Sequence, residues 1–284
     1  MISGIFLGLS TIDLIYEVDE FPLTDSKLTA RSQAAYAGGP ATNAAITFRH
    51  LGGNAALVTS IGQHPLTALL RDELNTYGVK ALDLSPDRSD VPAISAVAVN
   101  SKGQRNVISA NASLISEYSD RVDLDLLNSA SVLLVDGHLM KACIAWARAA
   151  REHGVAVVLD GGSWKPGTEL LLPYVDTAIC SSDFLPPSCS RPEQVVEFLS
   201  RHGVNKIAIT AGSNPIRFAS EQGSGSLAVP DVPTVDTMGA GDIFHGAYSY
   251  FLGTGLSFPD TLARAAIIAS NSCQFRGTRA WMNH

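Results

Sequence analysis

The sequence predicts an α/β fold with a mostly parallel sheet, helices on both of its faces and a small second sheet. Three observations carry this. Short apolar runs of strand type alternate with stretches of helical periodicity. The runs are near-continuous rather than alternating, as in strands buried on both faces. Two segments, Thr11–Ala35 and Ala93–Ala110, break that rhythm and read as strands of their own. A chain of 284 residues allows one large domain or a core with a small appendage. With 46% hydrophobic and 17% charged residues it has ample core and no disordered composition.

The elements follow in order. Ile5–Leu9 is the first strand. In Thr11–Ala35, Leu14 to Val18 alternate before Pro22. Pro40–Leu51 is a helix: Pro40 suits a first turn, where its missing N–H costs nothing. Ala41, Ala44, Ala45, Phe48 and Leu51 make its buried face, and Gly52-Gly53 ends it. A strand Ala56–Ile61 and a helix Pro65–Tyr77 come next. Ala93–Ala110 reads as a hairpin turning at Asn100-Ser101-Lys102-Gly103. Strands Ser131–Asp136, Val155–Asp160, Thr177–Cys180 and Lys206–Thr210 then interleave with helices Met140–His153 and Pro192–His202. Helices Ala240–Leu252 and Asp260–Phe275 close the chain, the last behind a capping box at Ser257-Phe258-Pro259-Asp260. Ligands of such a sheet bind outside the carboxyl ends of its strands. No internal repeat, low-complexity segment or linker-like break is present.

The most informative stretch is Asp236-Thr237-Met238-Gly239-Ala240-Gly241-Asp242, running into Ile243-Phe244-His245-Gly246-Ala247. It joins a side-chain-poor turn to a helix start. The amides of Gly239, Ala240 and Gly241 are expected to stay open there, where the helix dipole leaves roughly half a positive charge, so the place suits a phosphate. A carboxylate beside an anion hole is a poor phosphate ligand. Asp242 is instead a sensible general base for a hydroxyl attacking a phosphoryl group. About 200 residues earlier lies Gly38-Gly39-Pro40-Ala41-Thr42-Asn43-Ala44-Ala45, then Leu51-Gly52 and Val58-Thr59-Ser60-Ile61-Gly62.

These two stretches resemble the signatures of the ribokinase-like (PfkB) sugar kinases. The C-terminal one, D-T-x-G-A-G-D-x-F-x-G-A, has every fixed position filled. The N-terminal one is G-G-x-x-x-N-x-A, followed by L-G and a strand ending in glycine. The resemblance implies a ribokinase-like three-layer α/β/α core in a single domain spanning residues 1–284, with a β-sheet lid from residues 11–35 and 93–110. It implies ATP-dependent phosphorylation of a sugar primary hydroxyl, on a ketose such as fructose or a ribose-like acceptor. Asp242 would be the base and the Gly239, Ala240 and Gly241 amides the anion hole. It also implies a homodimer paired through the lid, whose open edges dimerisation would cover.

Further roles are implied by the same resemblance. Asp13, in Gly8-Leu9-Ser10-Thr11-Ile12-Asp13, matches a sugar-contacting Asp, and Gly38, Gly39 and Asn43 line its pocket. The Leu14–Ser26 and Asn100–Arg105 stretches look most like the ketohexokinase branch. There an Asn-Arg pair touches the sugar and the phosphate region; here it is Gln104 and Arg105, the Gln longer by one methylene. Asp25 matches an Asp that reaches the neighbouring subunit's sugar. Thr210-Ala211-Gly212-Ser213 resembles the nucleotide turn T-x-G-x-x-G, with Pro215 where the last glycine belongs. Thr210 and Gly212 are thus nucleotide-binding candidates, and Asn271, Cys273 and Gly277 fall where the family closes the adenine pocket. The family's N-x-x-E is replaced by Ser181-Ser182-Asp183-Phe184, which leaves Asp183 as the carboxylate for Mg²⁺. Asp236 lies where some members hold a monovalent cation such as K⁺. Asp136 and His138, at the end of a strand, also occupy a cleft position.

Other features bound the function. A net charge of −7 argues against nucleic acid as the main partner. No P-loop lysine motif exists, so the backbone amides must take over that cradle. Magnesium is expected with ATP, since amides alone do not neutralise a triphosphate. Cys143, Cys180, Cys189 and Cys273 show no C-x-x-C spacing and read as structural thiols of a reducing cytoplasm. No signal peptide is expected at the N-terminus, and no apolar run approaches the ~20 residues that cross a bilayer. Two other classes of reading stay open. One keeps the fold and changes the acceptor to a nucleoside, a sulfosugar or phosphosugar, or a keto-deoxy sugar acid. An anionic acceptor needs extra cations, for which Arg31, Arg105 and Lys165 are the candidates. The other is a catalytically silent sugar- or nucleotide-binding protein.

Overall fold

The computed structural model describes residues 1–116 and 118–284. A nine-stranded sheet forms its centre. The parallel part contains β1 (Ser3–Leu7), β4 (Asn54–Thr59), β5 (Lys80–Asp83), β8 (Val132–Val135), β9 (Ala156–Gly161), β10 (Thr177–Ser181) and β11 (Lys206–Ala211). An antiparallel hairpin, β12 (Asn214–Ser220) and β13 (Gly223–Leu227), extends it, giving the order β13-β12-β11-β10-β9-β8-β1-β4-β5. β1 pairs in parallel with both β4 and β8, Ile5 lying opposite Ala56 on one side and Leu133 on the other.

Apolar residues on both sides of each central strand explain the two covering layers. Ile5, Leu7, Leu133, Val135, Val157 and Leu159 pack on one face, against Trp146, Cys143 and Ala147 of α4 (Met140–Glu152) and Val195 and Leu199 of α6 (Pro192–Arg201). The intervening Phe6, Leu134, Val158 and Ile179 pack on the other. There they meet Phe48 of α1 (Pro40–His50), Tyr248 of α7 (Ala240–Leu252) and Leu262 of α8 (Phe258–Ser272). Fully burying one such large apolar side chain stabilises by roughly 1.5–3 kcal/mol.

The packing of α1 on α7 matters most for function. A Cβ built on Gly246 would lie 2.4 Å from the Ala44 carbonyl oxygen. The missing side chain lets α7 approach α1 closely, and this approach carries Asn43 to Asp242 across 199 residues of sequence.

The second sheet has four strands in the order β3-β2-β6-β7: β2 (Thr11–Glu17), β3 (Ser32–Gly38), β6 (Ile94–Val99) and β7 (Arg105–Ser109). β2 pairs antiparallel with β3 and parallel with β6, and β6 and β7 form a hairpin. β2 starts just after β1 and β3 ends just before α1, so this sheet springs from the carboxyl end of β1.

All expected strands and helices occur, with ends shifted by a few residues. α2 runs over Thr67–Thr76, because Pro65 and Leu66 form a turn before it. α8 starts at Phe258 rather than Asp260: Ser257 caps it by accepting from the Asp260 amide at 3.3 Å, with Pro259 in the first turn. β5, the β12–β13 hairpin and the short helices α3 (Leu124–Asn128) and α5 (Thr168–Leu171) were not among the expected elements. Among the described residues, no helix is long and apolar enough to cross a membrane.

Candidate active site

The site lies at the carboxyl end of β1, where its neighbours β4 and β8 lead into connections on opposite sides. Gly239 caps α7 in the left-handed conformation at φ +67°, and a Cβ there would meet Thr278 Cγ2 at 2.6 Å. Both facts demand glycine. The Ala240 amide turns back to the Thr237 carbonyl at 3.3 Å. The expected three open amides thus narrow to Gly239 and Gly241, which have no protein acceptor among the described residues. Above Gly241, the space a Cβ would enter is empty to 4 Å, so a ligand can approach this helix start. The Asp236 carboxylate braces the turn from below, accepting from the Met238 amide at 2.9 Å and the Gly277 amide at 2.8 Å.

Asp242 occupies the first turn of α7, half-buried. Its Oδ2 accepts from Asn43 Nδ2 at 2.7 Å. Its carboxyl is pushed up to about 7, first by burial and next by the nearby negative charge of Asp160, while the Asn43 bond pulls it down. Asp160, at the end of β9, is buried, and burial raises its carboxyl. It faces the His245 ring at 3.5 Å, and that ring also bonds the Gly241 carbonyl at 2.7 Å and the Ile179 carbonyl at 3.1 Å. His245 thereby ties the first turn of α7 to β10. A base titrating near neutrality is well matched to removing a proton from an alcohol.

Asp13 lies on β2 beside this turn, its carboxyl raised by burial and its Oδ1 accepting from the Thr11 hydroxyl at 2.6 Å. A side chain at Gly38 would collide with that carboxylate, and one at Gly39 with the Leu9 carbonyl. Asp13, Gly38, Gly39, Asn43 and Asp242 therefore come together around one cleft. Asn43 is 3% exposed, with both ends of its amide bonded to protein: Nδ2 to Asp242 and Oδ1 to Arg279. Arg105 reaches in from the small sheet and donates to Thr237 Oγ1 at 3.0 Å. Gln104 stays in its hairpin turn, accepting from Asn100 Nδ2 at 2.8 Å. Asp25 sits on an exposed loop at φ +56°. Asp136 accepts from the Leu9 and His138 amides at 2.8 and 2.9 Å, bracing the ends of β1 and β8.

On the far side of the Gly239 turn a cleft of about 220 Å³ is lined by Thr210, Gly212, Ile216, Val229, Phe244, Ala266 and Cys273 together with Ala240 and Gly241. Its apolar walls and its contact with the helix start suit a flat heteroaromatic base attached to phosphates. Thr210, Gly212 and Cys273, the nucleotide-site candidates from the sequence, all line this cleft. Asn271 instead accepts from Gln274 Nε2 at 2.9 Å, and Gly277 lines a separate cleft beneath the small sheet. Asp183 is exposed just beyond β10. Among the described residues, no three His, Cys, Asp or Glu side chains converge as a metal site. The sequence reading missed Arg279, Glu73, Asp160 and His245. Two of these are buried charged groups whose partners lie far away in the chain; the pattern offered only His245, as an unusual polar residue on an apolar helix face.

The model of the pfkB family carbohydrate kinases matches residues 2–284. The ribokinase of Arabidopsis thaliana is 26% identical over 289 residues, covering 96% of this chain and 76% of the relative. The ketohexokinase of Mus musculus is 23% identical over 296 residues, covering 95% and 96%. It is one of several kinds of sugar kinase that match, so the ketohexokinase branch is not singled out. The structure of Arabidopsis thaliana ribokinase complexed with ribose and ATP superimposes with a TM-score of 0.79 at 22% identity, covering 97% of this chain and 93% of the other. The chain belongs to the pfkB family of carbohydrate kinases.

Proposed function

We propose that this carbohydrate kinase transfers a phosphoryl group from Mg-ATP to a primary hydroxyl of a neutral sugar, a ketose such as fructose or a ribose-like acceptor. The observation that carries this is the placement of Asp242, half-buried, held by Asn43 and pushed up to about 7, one turn from an open helix start. The sugar hydroxyl gives its proton to Asp242 as its oxygen attacks. The Gly239 and Gly241 amides and the α7 dipole stabilise charge on the transferred group. Asp13, Gly38, Gly39, Asn43 and Arg105 face the acceptor, Gln104 would join them by turning in from its bond to Asn100, Asp25 is at the outer rim, and Thr210 and Gly212 face the nucleotide. The Arabidopsis ribokinase complex with ribose and ATP supports the pairing of sugar and nucleotide.

Magnesium comes in on the triphosphate and supplies charge neutralisation there. Among the described residues no cluster of three His, Cys, Asp or Glu fits it, and Asp183, exposed just beyond β10, is the candidate carboxylate. A monovalent cation beside Asp236 belongs to the same reading, and turnover that ignores KCl would remove it. The small sheet serves as a lid, within one domain that spans the chain. Its edge strand β7 exposes Val107 and Ile108, the latter 79% exposed, and pairing with a second copy would cover that edge. A monomer in light scattering at assay concentration would overturn the dimer. The reading places the enzyme in the cytoplasm with its substrates.

The test is ADP release from Mg-ATP with fructose, ribose, sulfofructose, ketodeoxygluconate and adenosine. A neutral sugar should give turnover, and Asp242→Asn should lower it by ~10² or more with nucleotide binding kept. Turnover only with an anionic acceptor or a nucleoside would reassign the substrate. Sugar or ATP binding without turnover would favour a silent binding protein.

A further inference from the structure

Arg279 lies near the C-terminus, 6% exposed, and every arm of its guanidinium is occupied. Nε donates to Glu73 Oε1 on α2 at 3.0 Å and Nη2 to the Ala37 carbonyl on β3 at 2.7 Å. Nη1 donates to Asn43 Oδ1 on α1 at 2.9 Å. The group sits 5.6 Å from the centre of the Tyr77 ring. Glu73 is anchored in turn, its other oxygen accepting from the Ala37 amide at 2.5 Å. Trp281 Nε1 donates to the Thr278 carbonyl at 3.1 Å and fixes the segment that carries Arg279.

A guanidinium only donates, so the Asn43 atom that faces it must be the oxygen. The Asn43 amide nitrogen is then turned to Asp242, where it donates at 2.7 Å. Without Arg279 the amide loses the partner that decides which way round it sits. We propose that Arg279 is a positioning residue for phosphoryl transfer: anchored on Glu73 and Ala37, it orients the Asn43 amide so that Asn43 holds the Asp242 carboxylate in place. This rests on Asp242 being the base. Its sequence context, Gly277-Thr278-Arg279-Ala280-Trp281, lies outside both signature stretches.

A relay through Asn43 has consequences that a merely structural ion pair lacks. The charged and polar groups facing Asp242 are Asn43 from α1, Asp160 from β9, His245 from its own helix and Asp13 from β2. Of these, Arg279 hydrogen-bonds Asn43 alone, while its charge also lowers the Asp13 carboxyl. The Asn43 bond lowers the Asp242 carboxyl, so its loss must move that carboxyl upward.

The experiment compares wild type, Arg279→Met, Arg279→Lys, Asn43→Ala and the Asn43→Ala/Arg279→Met double variant. The assay uses Mg-ATP with D-fructose, or with D-ribose if fructose is not turned over. Arg279→Met should lower kcat about 10- to 100-fold, the scale of a misplaced catalytic group, and leave the KM for Mg-ATP within about twofold. The acid limb of kcat/KM should move to higher pH. The double variant should match Asn43→Ala alone, because Arg279 acts through Asn43. Additive losses, or wild-type kcat and acid limb in Arg279→Met, overturn the relay. If Arg279→Met does not fold, Arg279→Lys, which retains the charge but not the fork, should show the same split and the same upward limb. An unmoved limb in it overturns the relay. If wild type turns over none of the acceptors, the kinase reading fails on its own. A ¹³C-carboxyl NMR titration of ligand-free protein then decides the relay: the Asp242 resonance should titrate at higher pH in Arg279→Lys, and an unchanged midpoint overturns it.

Discussion

The floor of the cleft and the sheet above it are built on opposite plans. On the floor, bonds join residues remote in sequence: Asn43 to Asp242, Asp236 to Gly277, Arg279 to Glu73. These groups are wholly or partly buried. In the small sheet, the polar bonds of the β6–β7 turn are mostly local, Asn100 bonding the Lys102 and Gln104 amides, though Ser101 reaches the Asp19 carbonyl; β7 is exposed along most of its length. A buried long-range bond cannot be changed without disturbing the helices that carry it. An exposed hairpin side chain can be changed at small cost. On the proposed function, the chemistry common to many acceptors falls where the fold constrains it, and the groups proposed to choose an acceptor fall where substitution is tolerated.

The largest effect that could break this contrast is on pH. If the floor works through an Asp242 carboxyl pushed up to about 7, kcat/KM should rise about tenfold per pH unit below that value and level off above it. Stability must move the other way. A carboxyl raised in the folded state contributes stability that is whole below the ordinary carboxylate range and is lost as pH rises through about 7. Asp242→Asn should therefore melt higher than wild type at pH 8, and the gain should shrink or reverse at pH 4 to 5. Melting curves at the two pH values check the sign, and a variant less stable than wild type at pH 8 would contradict the burial account.

The next effect comes from the helix contact beneath the base. Gly246→Ala places a methyl 2.4 Å from the Ala44 carbonyl oxygen, so α7 must move off α1. Overpacking of this kind costs about 1–3 kcal/mol, seen in urea unfolding as a lower midpoint with unchanged slope. Because the same contact brings Asn43 to Asp242, kcat should fall with it. Normal kcat in a destabilised Gly246→Ala protein would show that the floor tolerates a looser helix pair than its geometry implies.

The sequence made these two regions legible to different degrees. Periodicity located the central strands and α1, α4, α6, α7 and α8, because each presents a continuous or one-sided apolar pattern to a core. The Gly239–Asp242 turn stood out by its glycines, its single carboxylate at a helix start and its match to the family signature. Periodicity did not find β5, whose Lys80-Ala81-Leu82-Asp83 is short and polar at both ends, nor the β12–β13 hairpin, whose Gly223-Ser224-Gly225-Ser226 has no strand pattern. Arg279 and Glu73 were invisible for another reason. A buried ion pair is defined by two residues 206 apart, and neither is unusual alone.

Arg105 sharpens the comparison from the lid side. It lies on the exposed hairpin yet donates to Thr237 Oγ1 in the floor turn at 3.0 Å. Solvent exposure reduces this bond to the range of an ordinary hydrogen bond, about 0.5–1.5 kcal/mol, so Arg105→Ala should raise the acceptor or Mg-ATP KM about 2- to 10-fold. Melting temperature should hardly change. A kcat loss as large as that of Asp242→Asn would place Arg105 in the floor machinery instead.

The smallest effect is expected at the outer seam. Arg276 donates to both carboxylate oxygens of Glu17 at 2.7 Å, tying β2 to the C-terminal segment. Both contacts come from the one nitrogen Nη1, the Arg276 side chain is 71% exposed, and solvent screens the pair. Such pairs contribute about 0–1 kcal/mol. Arg276→Ala should therefore leave the melting temperature within about a few degrees of wild type. Its effect on acceptor KM should shrink further as salt rises, because screening weakens an exposed pair first. A salt-independent effect would mean that the seam shuts out solvent when the lid is down. The small sheet would then share the buried character of the floor, and the contrast between the two regions would hold only for its outer strand, β7.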